Sequence, residues 1–500
     1  MEKLAQLYVK YEEGKLLQAW KNFALWTIPA VFPHTDQKDS QIQHDYQSMG
    51  AILVNNLAAK LVALLFPVNQ AFIKIQATEA LADVLPAEFK GQGTEMESNL
   101  AVLETDACKR LFLNASYAQL IQAMRYLIIT GNCLLWRTEG KLVVYGPKNF
   151  VTLRDNTGDI LCTIIRESMS VGGLPRDIRS KVPGIENKKE HDSVMLYTKV
   201  AGGLLPNGRK VHYVTQEIEG VPVGKPSTYT ENACPYVVCT WNLINGDSYG
   251  RGHVEDHSGD LAKLSDLSRA LTIYEIQSCK VVNLVKPGST VDVDSLNDAE
   301  DGEWVQADPA AVGVHEGGEY QKIQQINADI QMIFQRLSTA FMYRGNTREG
   351  ERVTAEEIRT NAEEADRTLG GTHSHLAQAM QLPLGYLLVA EEDPKFMGAV
   401  IAGGVSLEIL TGIPALGRAS KVTAMLNATQ ILAAMVPALQ QISSRLDKEA
   451  IVDMVYTSFG MDLKEIMLSE EELKAEAVVQ QNAAAAANPM DTTGAIQGIM

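Results

Sequence analysis

Between Tyr320 and Glu391, apolar residues recur every three or four positions. Ile323, Ile326, Ile330, Ile333, Leu337 and Phe341 make one continuous stripe, the period of an amphipathic helix. It ends in a polar run, Met342-Tyr-Arg-Gly-Asn-Thr-Arg-Glu-Gly-Glu-Arg352, with two glycines and three arginines. A second stripe (Ile358, Ala362, Ala365, Leu369, Leu376, Met380) opens on a capping box, in which Thr354 accepts from the amide three residues on and Glu357 reaches back. Gly370-Gly371 predicts a bend, because paired glycines ease departure from helical geometry. Pro383 predicts a second deformation, since it removes a donor and crowds the preceding turn. Straight, the helix from Thr354 to Glu391 would span on the order of 55 Å. Few compact enzyme domains need such a rod, and the segment points to an elongated structural machine.

The rest of the chain is built around this segment. Helices are expected over residues 4–26, 40–66 and 95–130, the last broken near Asn114. Their apolar stripes are too broad for exposed rods, so they should pack together or on a sheet. From 134 to 171 the period becomes two, with turn signals at Glu139-Gly140 and Asn156-Thr-Gly158 between short β-rich runs at 142–145 and 160–165. Further strands fit 194–200, 210–217 and 236–241. The fold class is α+β, mainly α, with an antiparallel sheet. Helix returns over 258–282, with Leu261, Leu264, Leu267 and Leu271 on one side. Between it and the Ile323 stripe lies an insert opened by Pro287-Gly288 and closed by Gly317-Gly318, which predicts a small subdomain at the tip of a helical pair. A strand at 405–410 and helices at 419–446, 449–459 and 469–481 follow, with a frayed tail beyond.

Composition narrows the function. A chain of 500 residues, 46% hydrophobic and 21% charged, folds into several domains. Its net charge of −17 argues against tight, static nucleic-acid binding, yet suits a surface past which DNA slides. Six cysteines without CxxC or zinc spacing read as reduced, buried thiols of a cytosolic protein, and no signal segment opens the chain. The apolar stretch 50–67 contains Asn55, Asn56 and Lys60, so it reads as a buried helix, and no membrane contact is expected.

Candidate chemical motifs fail one by one. Gly203-Leu-Leu-Pro-Asn-Gly208-Arg-Lys approaches a phosphate-binding loop, but Arg209 replaces the lysine and Lys210 the magnesium-holding hydroxyl. A hairpin turn at Asn207-Gly208 is the better reading, and the chain is not expected to be an enzyme. His253 and His257 stand at i and i+4, but Val254 occupies the place where zinc hydrolases carry glutamate. The acidic run 292–303 resembles a calcium loop without its sixth-position glycine. His373 and His375, two apart, face different directions on a helix. No cofactor or metal is therefore expected. Arg344, Arg348 and Arg352 stand out differently, as a basic loop between two long helices in an acidic chain; the plain alternative is a solvated loop paired with Glu349 and Glu351.

Three groups of motifs resemble the portal, or head-to-tail connector, proteins of short-tailed bacteriophages: Gln47-Ser-Met-Gly-Ala with Asn55-Asn-Leu-Ala and Leu64-Leu-Phe-Pro67; Ser248-Tyr-Gly-Arg-Gly with Gly259-Asp-Leu261; and Arg352-Val-Thr-Ala-Glu-Glu-Ile358 with Leu369-Gly-Gly371. The resemblance implies a homo-oligomeric ring, usually a dodecamer, at one capsid vertex of the virion, assembled in the host cytoplasm. Double-stranded DNA would pass along its axis without sequence readout. Partners would be a separate packaging motor (terminase), capsid and scaffold proteins, and tail adaptor proteins. It implies a wing at 1–257, stem helices at 258–282 and 323–341, a clip at 283–322, and a tunnel loop at 342–353. A long kinked helix with a return to the wing would cover 354–418, a crown 419–481, and a flexible tail 482–500. Stem packing falls to Leu264, Leu271, Ile326, Ile330, Ile333 and Leu337, and the kink to Gly370, Gly371 and Pro383. The DNA-facing loop would present Arg344, Asn346, Arg348 and Arg352. The competing readings are a metal-dependent hydrolase using His253 and His257, and a generic elongated scaffold protein.

Overall fold

The computed structural model describes residues 3–33, 42–68, 71–77, 93–112, 116–206, 208–279, 281–300, 304, 306, 308–316, 320–343, 369, 371–393, 396–401 and 405–409. The chain divides into two compact units, Met1–Ile413 and Pro414–Met500, and all described residues belong to the first. The helices expected over 419–481, the tail, and the start of the long helix at Thr354 lie outside the described residues.

Two helices, α1 (Leu4–Tyr11) and α2 (Gly14–Trp26), replace the single one expected over 4–26. The break at Glu12-Glu13 has a tertiary cause. Tyr8 is buried beside sheet residues, its hydroxyl donating to the Lys148 carbonyl at 2.8 Å, whereas Trp20 joins the helical core. One straight rod would not serve both. Helix α3 (Met49–Leu65) starts later than the expected residue 40, because 42–48 are not helical. There the Gln47 side chain donates to the Trp26 carbonyl at 2.5 Å and to Asp45 at 2.9 Å, holding this entry segment against the end of α2. Strand β1 (Ile73–Ala77) precedes α4 (Gly93–Phe112) and α5 (Ser116–Thr130), which flank the expected break. Leu53, Leu57, Leu61 and Leu65 of α3 and Leu120, Met124 and Leu127 of α5 are fully buried. Each contributes about 1.5–3 kcal/mol relative to exposure.

Strands β2 (Asn132–Thr138), β3 (Lys141–Tyr145), β4 (Phe150–Arg154), β5 (Ile160–Ser170), β6 (Ser193–Leu204), β7 (Lys210–Ile218), β8 (Val221–Thr230) and β9 (Tyr236–Thr240) form two antiparallel sheets. Their orders are β3-β2-β9 and β4-β5-β6-β7-β8. Glu139 and Gly140 both take positive φ, as a two-residue hairpin of the I′ type requires. Gly208, at φ 79°, turns β6 into β7, so the phosphate-loop look-alike is a hairpin. Strand β8 escapes the sequence pattern because Pro222, Gly224 and Pro226 read as loop residues. It occupies a sheet edge, where missing donors are tolerated.

The helical pair consists of α6 (Ser258–Ser278) and α8 (Tyr320–Ala340). Between them lie β10 (Val281–Val285), the short α7 (Val293–Asn297) and β11 (Val312–Glu316). Helix therefore stops short of the expected residue 282. Val281, Val282 and Val285 instead form a strand paired with β11, as β-branched side chains favour. That ladder closes the base of the insert. Beyond Gly371 come α9 (Thr372–Leu376), a π-helical turn at Ala377–Gln381, α10 (Leu382–Glu392), α11 (Phe396–Ile401) and β12 (Val405–Ile409), which pairs with β1. One core cluster unites α2, α3, α5, β2, α9 and α10 with part of the helical pair.

Candidate functional site

The apolar stripes of α6 and α8 face each other, but their surroundings change along their length. Leu261, Leu264, Ile330, Ile333, Leu337 and Phe341 belong to the main core and are at most 5% exposed. Leu267, Leu271 and Ile326 are half-buried and pack against that core. Off the stripe, Ile273 and Ile276 near the insert end of α6 are 44% and 60% exposed, and Met332, which points away from the buried Ile330 and Ile333 of α8, is 59% exposed. Arg336 donates to Asp260 at 2.8 Å, an ion pair across the helices. Midway along α6, Ser265 donates to Asp45 at 2.7 Å and Arg269 lies over the Tyr46 ring, 5.8 Å from its centroid.

At its body end α8 stops in a Schellman motif. The Tyr343 amide donates to Ser338 at 2.7 Å and the Met342 amide to Thr339 at 3.2 Å, which places Met342 in the left-handed region at φ 53°. Glycine is the usual residue there; methionine, with its Cβ, costs about 1 kcal/mol more. Three side chains from outside α8 hold the carbonyls that its end leaves unpaired. His253 Nε2 lies 3.1 Å from the Ala340 oxygen. Asn56 Nδ2 lies 3.5 Å from the Phe341 oxygen and 3.4 Å from that of Met342. Lys60 Nζ donates to the Met342 oxygen at 2.6 Å. A carbonyl can only accept, so the His253 proton sits on Nε2. A charge-assisted bond such as that of Lys60 contributes about 1.5–3 kcal/mol and places a cation at a helix C-terminus, where the dipole favours it.

The two histidines are thus packed at this helix end. Their rings meet edge-on with centroids 4.8 Å apart, and the Phe341 ring lies 4.7 Å from His253 and 5.7 Å from His257. Burial, with His257 nearby as a lesser cause, lowers the His253 pKa to about 4. Among the described residues, no group of three or more His, Cys, Asp or Glu is placed to hold a metal. Asp292, from the calcium-loop look-alike, caps α7 by accepting from the Asp294 amide. A cavity of about 530 Å³ adjoins the histidines, lined among others by Trp241, Asp256, His257, Thr372 and His375. His373 is buried and His375 exposed.

The family model for bacteriophage head to tail connecting proteins matches residues 2–467. The chain belongs to that family. A portal protein of Pseudomonas phage phiKMV is 38% identical over 98% of this chain and 96% of its own length. A portal protein of Escherichia phage T7 is 31% identical over 92% of this chain and 87% of its own. A chain in a solved structure titled "Virion of native gene transfer agent (GTA) particle" aligns with 92% of this chain and 98% of its own length at 11% identity, with a TM-score of 0.39. The connector's role is structural, and the hydrolase alternative is not favoured.

Several connector motifs acquire a physical reason from the fold. Gly252 of Ser248-Tyr-Gly-Arg-Gly lies so near the Gly131 backbone that an added Cβ would come within 2.8 Å of the Gly131 nitrogen. Asn132 stitches the same junction, donating to the Gly250 carbonyl at 2.9 Å and accepting from its amide at 2.8 Å. Gly50 packs directly on the Trp26 carbonyl, with no room for a side chain. In the expected kink, Gly371 is left-handed at φ 81°, so helix is interrupted there. Pro383 follows the π turn. Lacking an amide hydrogen, it leaves Ala379 without the donor an ordinary residue would supply, and the Cys239 thiol donates to that carbonyl at 3.7 Å. Arg137 pairs with Glu391 through two 2.8 Å bonds, and Arg110 with Glu392, tying the end of α10 to β2 and α4. Five cysteines are buried as expected, but Cys279 is exposed. Gly370, Arg344, Asn346, Arg348 and Arg352 lie outside the described residues. Sequence reasoning used Asn56 and Lys60 only to argue against a membrane span and missed their role at the end of α8, although the signal was present: two polar residues at i and i+4 on an otherwise apolar helix.

Proposed function

We propose that copies of this connector close into a ring, twelve-membered on the pattern of the portals it resembles, at one vertex of the virion capsid. Duplex DNA passes along the axis during packaging and ejection. The observation that carries the ring is the apolar surface that one chain leaves open on its helical pair, Ile273, Ile276 and Met332. A second copy of the same pair is the natural cover, and repetition of one such contact by rotation closes a ring. In this reading residues 1–257 are the wing, 258–282 and 323–341 the stem, and 283–322 the clip, on which the terminase motor and later the tail adaptors dock. Residues 354–418 form the kinked helix and return to the wing, with Gly370, Gly371 and Pro383 at the kink. Residues 419–481 form the crown and 482–500 the tail; capsid and scaffold proteins contact the wing.

Residues 342–353 are the tunnel loop, with Arg344, Asn346, Arg348 and Arg352 toward DNA. Duplex DNA carries one charge per roughly 1.7 Å of axis, so a ring of arginines meets phosphate at any register and reads no sequence. The acidic remainder of the chain, with net charge −17, keeps such contacts exchangeable. The test pairs electron-microscopy class averages of the purified full chain with the Arg344→Ala, Arg348→Ala double variant. Closed rings are expected from both proteins, with shortened or poorly retained DNA in variant particles of normal connector content. Monomers in solution would overturn the ring. Full-length, stably held genomes in the variant would overturn the DNA-facing loop.

A further inference from the structure

We infer that Asn56 and Lys60, with His253, are positioning residues for the loop that leaves α8, a reading that rests on that loop's facing DNA. Three observations converge on the same three peptide units. The carbonyls of Ala340, Phe341 and Met342 are each held by a side chain from outside α8. Met342 carries an unfavourable left-handed backbone at φ 53° while being only 6% exposed. Asn56 and Lys60 stand one turn apart on α3, a helix whose other flank is locked into the main core. Strained backbone persists only where its surroundings over-determine it, and here the surroundings are identifiable. The direction in which the chain departs at Tyr343 follows from the Met342 dihedrals, and those dihedrals follow from α3. The body of the connector thereby dictates the exit of the loop, and a displacement of α3 would be felt first at Met342.

The experiment compares Lys60→Met, which keeps the length of the side chain but removes its donor, with Lys60→Arg, which restores one. Asn56→Ala serves as a second variant with a smaller packing change, should Lys60→Met fail to fold. Hydrogen exchange is followed in the peptide covering Ser338–Tyr343, whose last two amides close the Schellman motif. Melting temperature, ring mass and packaged DNA length are measured alongside. The expected result is exchange faster by on the order of tenfold in that peptide alone, with ring mass unchanged, melting lowered by no more than the loss of one bond implies, DNA retention impaired, and recovery in Lys60→Arg. Unchanged exchange in both donor-removing variants overturns the inference. Faster exchange throughout the body, with lowered melting, also overturns it by making Lys60 an ordinary fold stabiliser. Local loosening with normal DNA retention rejects the positioning role if the Arg344, Arg348 double variant impairs retention. If that double variant also packages normally, the DNA-facing reading has failed and carries the positioning role down with it, leaving only a cap.

Discussion

The apolar residues of the helical pair meet opposite fates according to the face and the end they occupy. On α6, Leu261 and Leu264 are wholly buried, whereas Ile273 and Ile276, nearer the insert and turned away from the Leu261–Leu271 stripe, are largely open. On α8, Ile333 and Leu337 lie in the core, whereas Ile323 and Ile326 are only half-buried. A periodic stripe says which face of a helix is apolar, and nothing about who covers it. At the body end the chain covers its own stripe, and those residues belong to subunit folding. Toward the insert the stripe is only half covered, and Ile273, Ile276 and Met332, which lie off it, stay open in the single chain. Ile330, at 5% exposure, belongs to the subunit's own core.

The largest effect expected on subunit stability comes from charging the covered end. Leu264→Asp places a carboxylate at a site with no exposure and no described partner for it. The penalty is about 4 kcal/mol or more, comparable with the whole stability of many domains. Ile330→Asp should behave alike. Circular dichroism and limited proteolysis of the variants check this, and a folded, protease-resistant Leu264→Asp subunit would break the division between the two ends.

Next comes acid. His253 has its folded pKa lowered from 6.5 to about 4 by burial. Between those values the unfolded chain binds a proton that the folded chain refuses, so stability falls as pH drops through that window. The full difference is roughly 3 kcal/mol. Denaturant midpoints from pH 7 to 4 should therefore slope more steeply in the natural chain than in His253→Phe. Parallel slopes would show that the imidazole is not buried against the end of α8.

This contrast also marks how far the sequence could be read. The helical pair, the hairpin at Glu139-Gly140 and the turn at Gly208 were legible because stripe period and glycine chemistry are local signals. The break after Tyr11 was not, since it answers to Tyr8 and Trp20 packing on different layers. Strand β10 was absorbed into the preceding helix because no glycine or proline separates Val281-Val282 from it, and the period of so short a run is ambiguous. At the candidate site, the histidine pair was visible as spacing but not as a helix-end contact. The left-handed Met342 was illegible, because methionine has no preference for that conformation and only α3, nearly three hundred residues earlier, holds it there.

A smaller effect separates the surface of the covered end from its core. Arg336 and Asp260 are bonded at 2.8 Å, but their side chains are 61% and 34% exposed. Solvent and salt screen such a pair, so a double-mutant cycle with Arg336→Ala and Asp260→Ala should return under about 1 kcal/mol, shrinking toward zero in high salt. A coupling several times larger would mean that this flank is covered in the assembled state, and would move the border between the two ends toward the body.

The smallest effect on the subunit, and the sharpest test of the comparison, belongs to the open faces. Ile276→Ser combined with Met332→Ser removes two apolar side chains that are already 60% and 59% exposed in the single chain. Surface changes of this kind stay within about 0.5 kcal/mol, so the isolated subunit should melt as before. In a ring, each removed side chain is lost at every interface. Burial of one such residue contributes about 1.5–3 kcal/mol, so each contact is weakened by several kcal/mol while the fold is untouched. The measurement is solution mass across a concentration series beside the melting curve of the dissociated subunit. Loss of rings with unchanged melting would confirm that folding and assembly draw on different faces of one helical pair. Rings that persist at every dilution would place the contact between copies elsewhere than on this pair.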